Sequence, residues 1–419
     1  MAELKPFKGL RPKENLVDEI ASPPYDVLDS EEAREKVKDN PYSFLHVVKP
    51  EVDLPRDIDL YDDKVYQKAK ENLDRLINKN WMIQDEKECF YIYRQKMNDH
   101  VQTGLMAAAS VDDYEQSVIK KHEHTRKKKE EDRTKHVDTL DANTGPVFLT
   151  YKAKKEIDNI VQNYIENNKP VYNFKSDDGI EVEHTFWVVD DSDAINKIKN
   201  EFDKIDTLYI ADGHHRSKAA QRARDLKKKR NDNHTGNEEY NYFLSVIFPH
   251  NQMYIMDYNR VVKDLNGMSK DEFIDAIKQN FKVEEFGSKE KFYKPSEKHF
   301  FGMYLDGKWY KLKAKEESFD QNDPIESLDV AILQKNLLSP ILNIGNPRTD
   351  ERIKFVGGIR GMKELVKLVE NDGYKVAFSM YPTSIEQLMD VADANKVMPP
   401  KSTWFEPKLR SGLCVHLLK

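Results

Sequence analysis

The sequence predicts an α+β protein, a mixed α/β architecture, on three observations. Stretches with strand alternation and stretches with helical spacing are interleaved along the chain. Tight hairpins interrupt that order: "ECFYIYRQKM" and "HVQTGLMAAASV" meet at Asn98-Asp99-His100, and Asp306-Gly307 sits inside "HFFGMYLDGKWYKLKAK". Such hairpins argue against a doubly wound parallel sheet. The third observation is length: 419 residues exceed one average domain and predict two or three. The expected division is 1–240, a second α/β domain over 241–395, and a tail over 396–419 that packs back on the first domain.

The elements follow in order. "SPPYDV" must be extended or turned, because proline fixes its own φ and restricts the residue before it. Asp29 or Ser30 caps a short helix to about Lys38. "SFLHVVKP" reads as a strand and Tyr61 to Asn78 as a helix. After the first hairpin, "SVIKKHEHTRKKKEEDRTKHVDTL" is polar and helical in its middle. "PVFLTYKA" and "HTFWVVDD" read as strands with a helix between them near residues 155–167. A helix near 192–203 leads into the strand "DTLYIAD", and a further helix covers about 214–229, with Ala219, Ala223 and Leu226 on one face. In the rest, "NYFLSVIFP", "MYIMDYNRVV", "RIKFVGG" and "KVAFSMYP" are strands. Helices are expected near 269–280, 325–335, 361–370 and 384–394.

Composition narrows the function classes. Apolar residues make 38% and charged residues 34%, which predicts a soluble globular chain. The net charge of −7 gives no general attraction to nucleic acid or to anionic membrane, and the runs "RKKK" and "KKKR" read as solvated faces. Cys89 and Cys414 form no framework and read as free thiols of a reducing, cytoplasmic setting. The N-terminal stretch lacks the apolar segment of a secretory signal, and no run is long enough to span a membrane. A homo-oligomer is compatible with the sequence, which sets no particular state.

Four stretches could carry chemistry. In "IADGHHRSKAA" an apolar strand runs into Asp212-Gly213-His214-His215-Arg216 and then a helix. A helix N-terminus carries unpaired N–H groups and partial positive charge. Glycine allows close approach, and arginine adds a planar cation suited to phosphate. Asp212 could hold a metal bridging phosphates or accept a proton, and the histidines could donate, ligate or exchange protons. A capped helix with two surface histidines is the plain alternative. In "KKHEHTRKKKEEDR", His122, Glu123 and His124 could ligate zinc, although one His-x-His falls short of zinc spacings; a solvated charged face is the alternative. "SPPYDV" would hold Tyr25 and Asp26 in a fixed pose, or simply turn. "PPKSTWFEPKLRSG" combines phosphate-friendly Lys401, Lys408 and Arg410 with Trp404 and Phe405, which could stack on a base or pin the tail.

These four stretches, in this order, resemble the successive signatures of a widespread bacterial and archaeal family known mainly as a domain of unknown function. The resemblance runs from near residue 5 to near residue 415. The Asp-Gly-His-His-Arg turn is also similar to the turn of the ParB/sulfiredoxin-like fold, including archaeal free serine kinases. That likeness implies that Gly213, His214, His215 and Arg216 grip nucleotide phosphate, with Ser217 in the same turn and Asp212 beside it. Sulfiredoxin has a cysteine where His214 stands, which argues against sulfinic acid reduction; ParB's DNA role fits neither the charge nor the motifs. Family members are also associated with serine biosynthesis genes.

The leading expectation is a phosphotransferase between ADP or ATP and a hydroxyl, with magnesium and with serine and phosphoserine as the favoured pair. Asp26 or Glu123 is the expected base, with Asp212 and His214 as further catalytic candidates. His122, Thr125, Arg133, Lys401, Lys408 and Arg410 are the candidate substrate-binding residues. Asp212 is the one metal-ligand candidate in that scheme. A metal-dependent phosphatase using His122, Glu123, His124, Asp212, His214 and His215, and a nucleotide sensor without turnover, are the alternatives.

Overall fold

Tyr91, Ile92 and Tyr93 are all buried, and so are Leu105 to Ser110 across the hairpin. Consecutive buried residues mean a strand covered on both faces. In the computed structural model, which describes residues 1–419, this hairpin lies inside a nine-stranded mixed sheet. The order is Ile119–Lys120, Leu208–Asp212, Val147–Tyr151, Tyr242–Pro249, His100–Ser110, Phe90–Met97, Glu181–Val189, Tyr172–Asp177, with Leu4–Lys5 also paired to His100–Ser110. Two pairings are parallel: Ile119–Lys120 with Leu208–Asp212, and Val147–Tyr151 with Tyr242–Pro249. The other pairings are antiparallel. Ile157, Ile198 and Phe202 bring the helices Lys155–Asn167 and Ser192–Phe202 onto this sheet's core.

The chain forms two compact units, Met1–Met253 with Pro407–Lys419, and Tyr254–Glu406. The expected cut at residue 240 is therefore displaced. Tyr242–Pro249 sits between Val147–Tyr151 and His100–Ser110, so a cut there would remove a central strand. The expected tail is split as well. Trp404–Glu406 pairs with Tyr254–Met256 in the second unit. Val415–Leu417 instead pairs with Gly9–Pro12 and Ala142–Asn143 of the first, and Ser22 and Ser411 exchange both backbone hydrogen bonds at 2.9 Å. The rigid "SPPYDV" stretch is thereby anchored to residue 411.

Local signals explain most elements. Asp29 and Glu32 form a full capping box for the helix Ser30–Val37. Asp306 and Gly307 both have positive φ, 50° and 74°, as a two-residue hairpin turn requires. Three readings are corrected. "SFLHVVKP" contains the helix Leu45–Val48, not a strand. Its four residues are all buried, and a short run apolar on every side carries no periodicity to tell helix from strand. Strands Tyr172–Asp177 and Phe281–Ser288 were not expected; each alternates only weakly and is fixed by its partner, Glu181–Val189 and Lys308–Ala314.

The second unit is a six-stranded antiparallel sheet, ordered Phe281–Ser288, Lys308–Ala314, Phe300–Leu305, Val376–Ser379, Tyr258–Val262, Ile353–Gly357. Leu365 and Leu368 of the helix Gly361–Asn371 join Trp309 and Tyr304 in its core. No helix in the molecule is long and apolar enough to cross a membrane. Both cysteines are free and buried.

Candidate functional site

The strand Leu208–Asp212 loses its register against Val147–Tyr151 one step before it ends: Ile210 faces Leu149, yet Asp212 faces Phe148. The extra residue, Ala211, makes a bulge, which re-aims the side chain that follows. Gly213 then takes φ 101° and ψ 27°. A Cβ there would be strained by that φ and would lie 3.2 Å from Arg216 Nε and 3.4 Å from Val147 Cα. The helix His214–Arg230 starts at once, without any side-chain cap. Its ladder begins with Ser217 N–H donating to Gly213 C=O at 3.0 Å. The N–H groups of His214, His215 and Arg216 therefore stay outside the ladder, the arrangement an anion needs.

Charge gathers around this turn from distant parts of the chain. Lys408 Nζ donates to Asp212 Oδ2 at 3.3 Å, and an Arg216 terminal nitrogen stands 3.8 Å from the same oxygen. Burial works to raise the Asp212 pKa; Lys408 and Arg216 outweigh it and hold the carboxyl well below its usual range. Arg216 also donates to Pro146 C=O. It lines a cavity of about 30 Å³ with Tyr25, Arg133, Thr144, Gly145 and Ser411. The Arg133 guanidinium lies 4.3 Å over the Tyr25 ring and donates to Asp132 at 3.0 Å. Asp26 is exposed beside Tyr25, and its charge is felt at both Tyr25 and His215.

The histidines divide. His214 is buried, with its ring edge-on to buried His122 and the two Nε2 atoms 3.4 Å apart. Burial pushes His122 down to about 4, and burial with the neighbouring His122 pushes His214 well below its ordinary value. Both are neutral, interior rings. His214 can offer phosphate its backbone N–H but not a charged side chain, and the His122 ring packs against it. His215 is half-buried, and its Nε2 accepts the Arg126 N–H at 3.1 Å, so its proton resides on Nδ1. Burial, then Arg126, lowers its pKa.

The remaining candidates are placed as follows. Glu123 is half-buried in the loop before the helix Lys127–Leu140. Thr125 donates its hydroxyl to Glu130, which also pairs with Arg222 at 3.3 Å. Ser217 is buried and its hydroxyl bonds back to Gly213 C=O at 3.1 Å, a contact that shapes the turn and occupies the hydroxyl. Arg410 is committed elsewhere: it donates to Asp178 and, at 2.8 Å, to Ala21 C=O, tying the tail to the Tyr172–Glu181 hairpin region. Lys401 belongs to the second unit, where its carbonyl accepts from Arg260 at 3.0 Å and its ammonium lies 5.6 Å from the Tyr258 ring centre. Glu130 and Asp178 were not singled out in the sequence, and Asp132 only as part of a charge run. They sit in charge runs, where spacing does not tell which carboxylate turns inward.

No group of three or more His, Cys, Asp or Glu side chains is placed to hold a metal ion, so the alternative of a His122–Glu123–His124 zinc cluster does not assemble. The exposure of His124 and the burial of His122 send the two rings in opposite directions. Magnesium arriving on nucleotide phosphates makes a smaller demand, one or two carboxylates with water and phosphate completing its shell. Asp212, anionic and at the turn, fits that demand.

A family model described as "Protein of unknown function (DUF1015)" matches residues 4–331. The chain belongs to this family. No curated protein sequence matches it. Among solved structures, the DUF1015 chain aligns with a free serine kinase in complex with AMP at 14% identity, covering 74% of this chain and 92% of that one, TM-score 0.35. A conserved hypothetical protein from Pyrococcus furiosus aligns at 16% identity, 74% and 93% coverage, TM-score 0.34. C-terminally truncated SbnI from Staphylococcus aureus aligns at 12% identity, 74% and 87% coverage, TM-score 0.38.

Proposed function

We propose that this chain is a small-molecule phosphotransferase that moves phosphate between a nucleotide, ADP or ATP, and a hydroxyl acceptor, with serine and phosphoserine as the favoured pair. The observation that carries the proposal is the uncapped helix start behind left-handed Gly213, with Arg216 and Arg133 at one cavity beside it. Three N–H groups and two guanidinium groups answer the several oxygens of a phosphate chain. The strand–turn–helix is the part we read as ParB/sulfiredoxin-like.

In this reading the N–H groups of residues 214–216 and the Arg216 guanidinium hold the nucleotide phosphates. Arg133 and Lys408 hold the acceptor's own anionic group. The acceptor oxygen bonds to phosphorus as the phosphorus–oxygen bond to the nucleotide breaks, and the acceptor proton passes to a carboxylate. We assign that carboxylate to Asp26 rather than Glu123. Asp26 is exposed, and its charge acts on Tyr25 and His215 at the cavity. Magnesium, bound with the nucleotide, would neutralise phosphate charge, with Asp212 as its protein ligand.

The test is an incubation with phosphoserine, ADP and magnesium, scoring free serine and ATP together, with Arg216→Ala and Asp26→Asn alongside. Equal amounts of both products, lost in either variant, support transfer at this turn. Serine without ATP would make the chain a phosphatase, and binding of ADP without either product would leave a nucleotide sensor.

A further inference from the structure

The strand Val147–Tyr151 runs antiparallel to Leu208–Asp212 and parallel to Tyr242–Pro249. Asp212 faces Phe148, near the start of Val147–Tyr151. The last residues of the two parallel strands, Tyr151 and Pro249, therefore lie at the opposite end of the sheet from the phosphate turn. A cavity of about 300 Å³ opens there, lined by Tyr151, Asp158, Gln162, Phe202, Pro249 and Gln252 among others. Ligand pockets begin at roughly this size, and the ends of parallel strands are a favoured place for them.

Two polar groups in this cavity have no partner in the protein. Tyr151 is 2% exposed, yet its hydroxyl makes no hydrogen bond. Its hydroxyl oxygen is not among the enclosed atoms, so it opens on the cavity it lines. The Asp158 carboxylate, on the first turn of the helix Lys155–Asn167, accepts no hydrogen bond and has no cation within ion-pair distance. Burial raises its pKa with no opposing cation, and its charge acts on Tyr151. Gln252 is already engaged, its Oε1 accepting the Thr103 N–H at 2.8 Å. Buried polar groups ordinarily find partners, a rule that applies to Tyr151, while Asp158 is half-buried. An unpaired carboxylate and a buried free phenol against apolar walls of Leu105, Ile157 and Phe202 ask for a donor-rich cation with an apolar body.

We propose that this cavity is a second binding site of the first unit, for a small organic cation of the primary-ammonium class. The ammonium donates to the Asp158 carboxylate and to the Tyr151 oxygen, and the alkyl chain lies along Leu105, Ile157 and Phe202. The site is separate from the phosphate turn and does not depend on the phosphotransfer reading.

The probes are three molecules of one length: pentylammonium, 1-pentanol and pentanoate. Each is titrated into the full chain at pH 7.5 and followed by ligand-observed NMR and calorimetry. Saturable binding of pentylammonium, weakened about tenfold or more when the charge is lost in pentanol and absent for pentanoate, is expected. Asp158→Asn, which keeps size and shape, should weaken pentylammonium about tenfold and leave pentanol unchanged. Val161, on the helix Lys155–Asn167, also lines the cavity; Val161→Trp, which fills it from the helix side, should abolish binding of both while circular dichroism stays native. No saturable pentylammonium binding by the native chain, equal affinity for all three probes, or indifference to Asp158→Asn would each overturn the proposal.

Discussion

Two strands in this molecule run through a glycine turn into a helix, and only one of them builds a charged centre. In the first unit, Leu208–Asp212 passes through Gly213 into His214–Arg230. In the second, Ile353–Gly357 passes through Gly358–Arg360 and Gly361, φ 73°, into Gly361–Asn371. Both helices start without a side-chain cap. The surroundings differ. At the first turn, Lys408, Arg133 and Tyr25 arrive from three other chain segments and leave a cavity beside Arg216. At the second, the glycines serve packing: a Cβ on Gly357 would strike Trp404 at 2.8 Å, and one on Gly358 would strike Asp257 at 2.7 Å. Asp212 at the first turn is met by two cations, Lys408 and Arg216, whereas Asp257 at the second is met by Lys294. A helix start becomes a candidate site only when cations converge on it.

The largest test of this contrast is charge removal at each turn. Arg216→Ala should weaken ADP binding by roughly 10–100-fold, since hydrogen bonds to charged groups are worth about 1.5–3 kcal/mol. Arg360→Ala, the exposed arginine of the second turn, should leave it unchanged. Calorimetric titration reads both, and equal losses would dissolve the distinction.

Backbone strain comes next. Gly213→Ala and Gly361→Ala each force a side chain into positive φ, and each should cost about 1–2 kcal/mol of stability in denaturant unfolding. Gly213→Ala should also lower ADP affinity, because its Cβ presses on Arg216. Gly361→Ala should not. An affinity loss in Gly361→Ala, or none in Gly213→Ala, would move the nucleotide away from the first turn.

A third test separates the units by pH. Burial pushes His122 and His136 down to about 4 and His184 to about 3, against an ordinary value of about 6.5. On acidification the unfolded chain takes up these protons first. First-unit stability is therefore intact above about pH 6.5 and declines as the pH falls toward 4. In the second unit, burial pushes Asp329 up to about 7, with its Oδ2 unpartnered. There the folded chain holds the proton more tightly, so that contribution is present below about pH 4 and is lost as the pH rises through 7. Hydrogen exchange resolved by unit, from pH 4 to 8, should show opposite slopes for these terms. Asp329→Asn should remove the second, and parallel slopes in both units would contradict the assignment.

The mixed α/β class was legible because alternation, helical spacing and two-residue turns are local properties. Asp29 with Glu32, Ser269 with Glu272 and Asp306-Gly307 each fix a cap or a turn within a few residues, whatever surrounds them. The strand–glycine–helix at Asp212–Arg216 was legible for the same reason: glycine, then arginine, at a helix start is written in consecutive letters.

What the sequence by itself determined is thus most of the elements and the turn that could receive an anion. Tertiary structure alone decided which side chains meet there. Lys408 reaches Asp212 across 196 residues because Val415–Leu417 and Ser411 are paired to the N-terminal region. Lys401 and Arg410, from the same tail, went to other partners. The lowered pKa of His122 and His214 has a physical reason no motif carries. Burial removes the water that would stabilise an imidazolium, and whether a ring is buried depends on what long-range pairing lays over it.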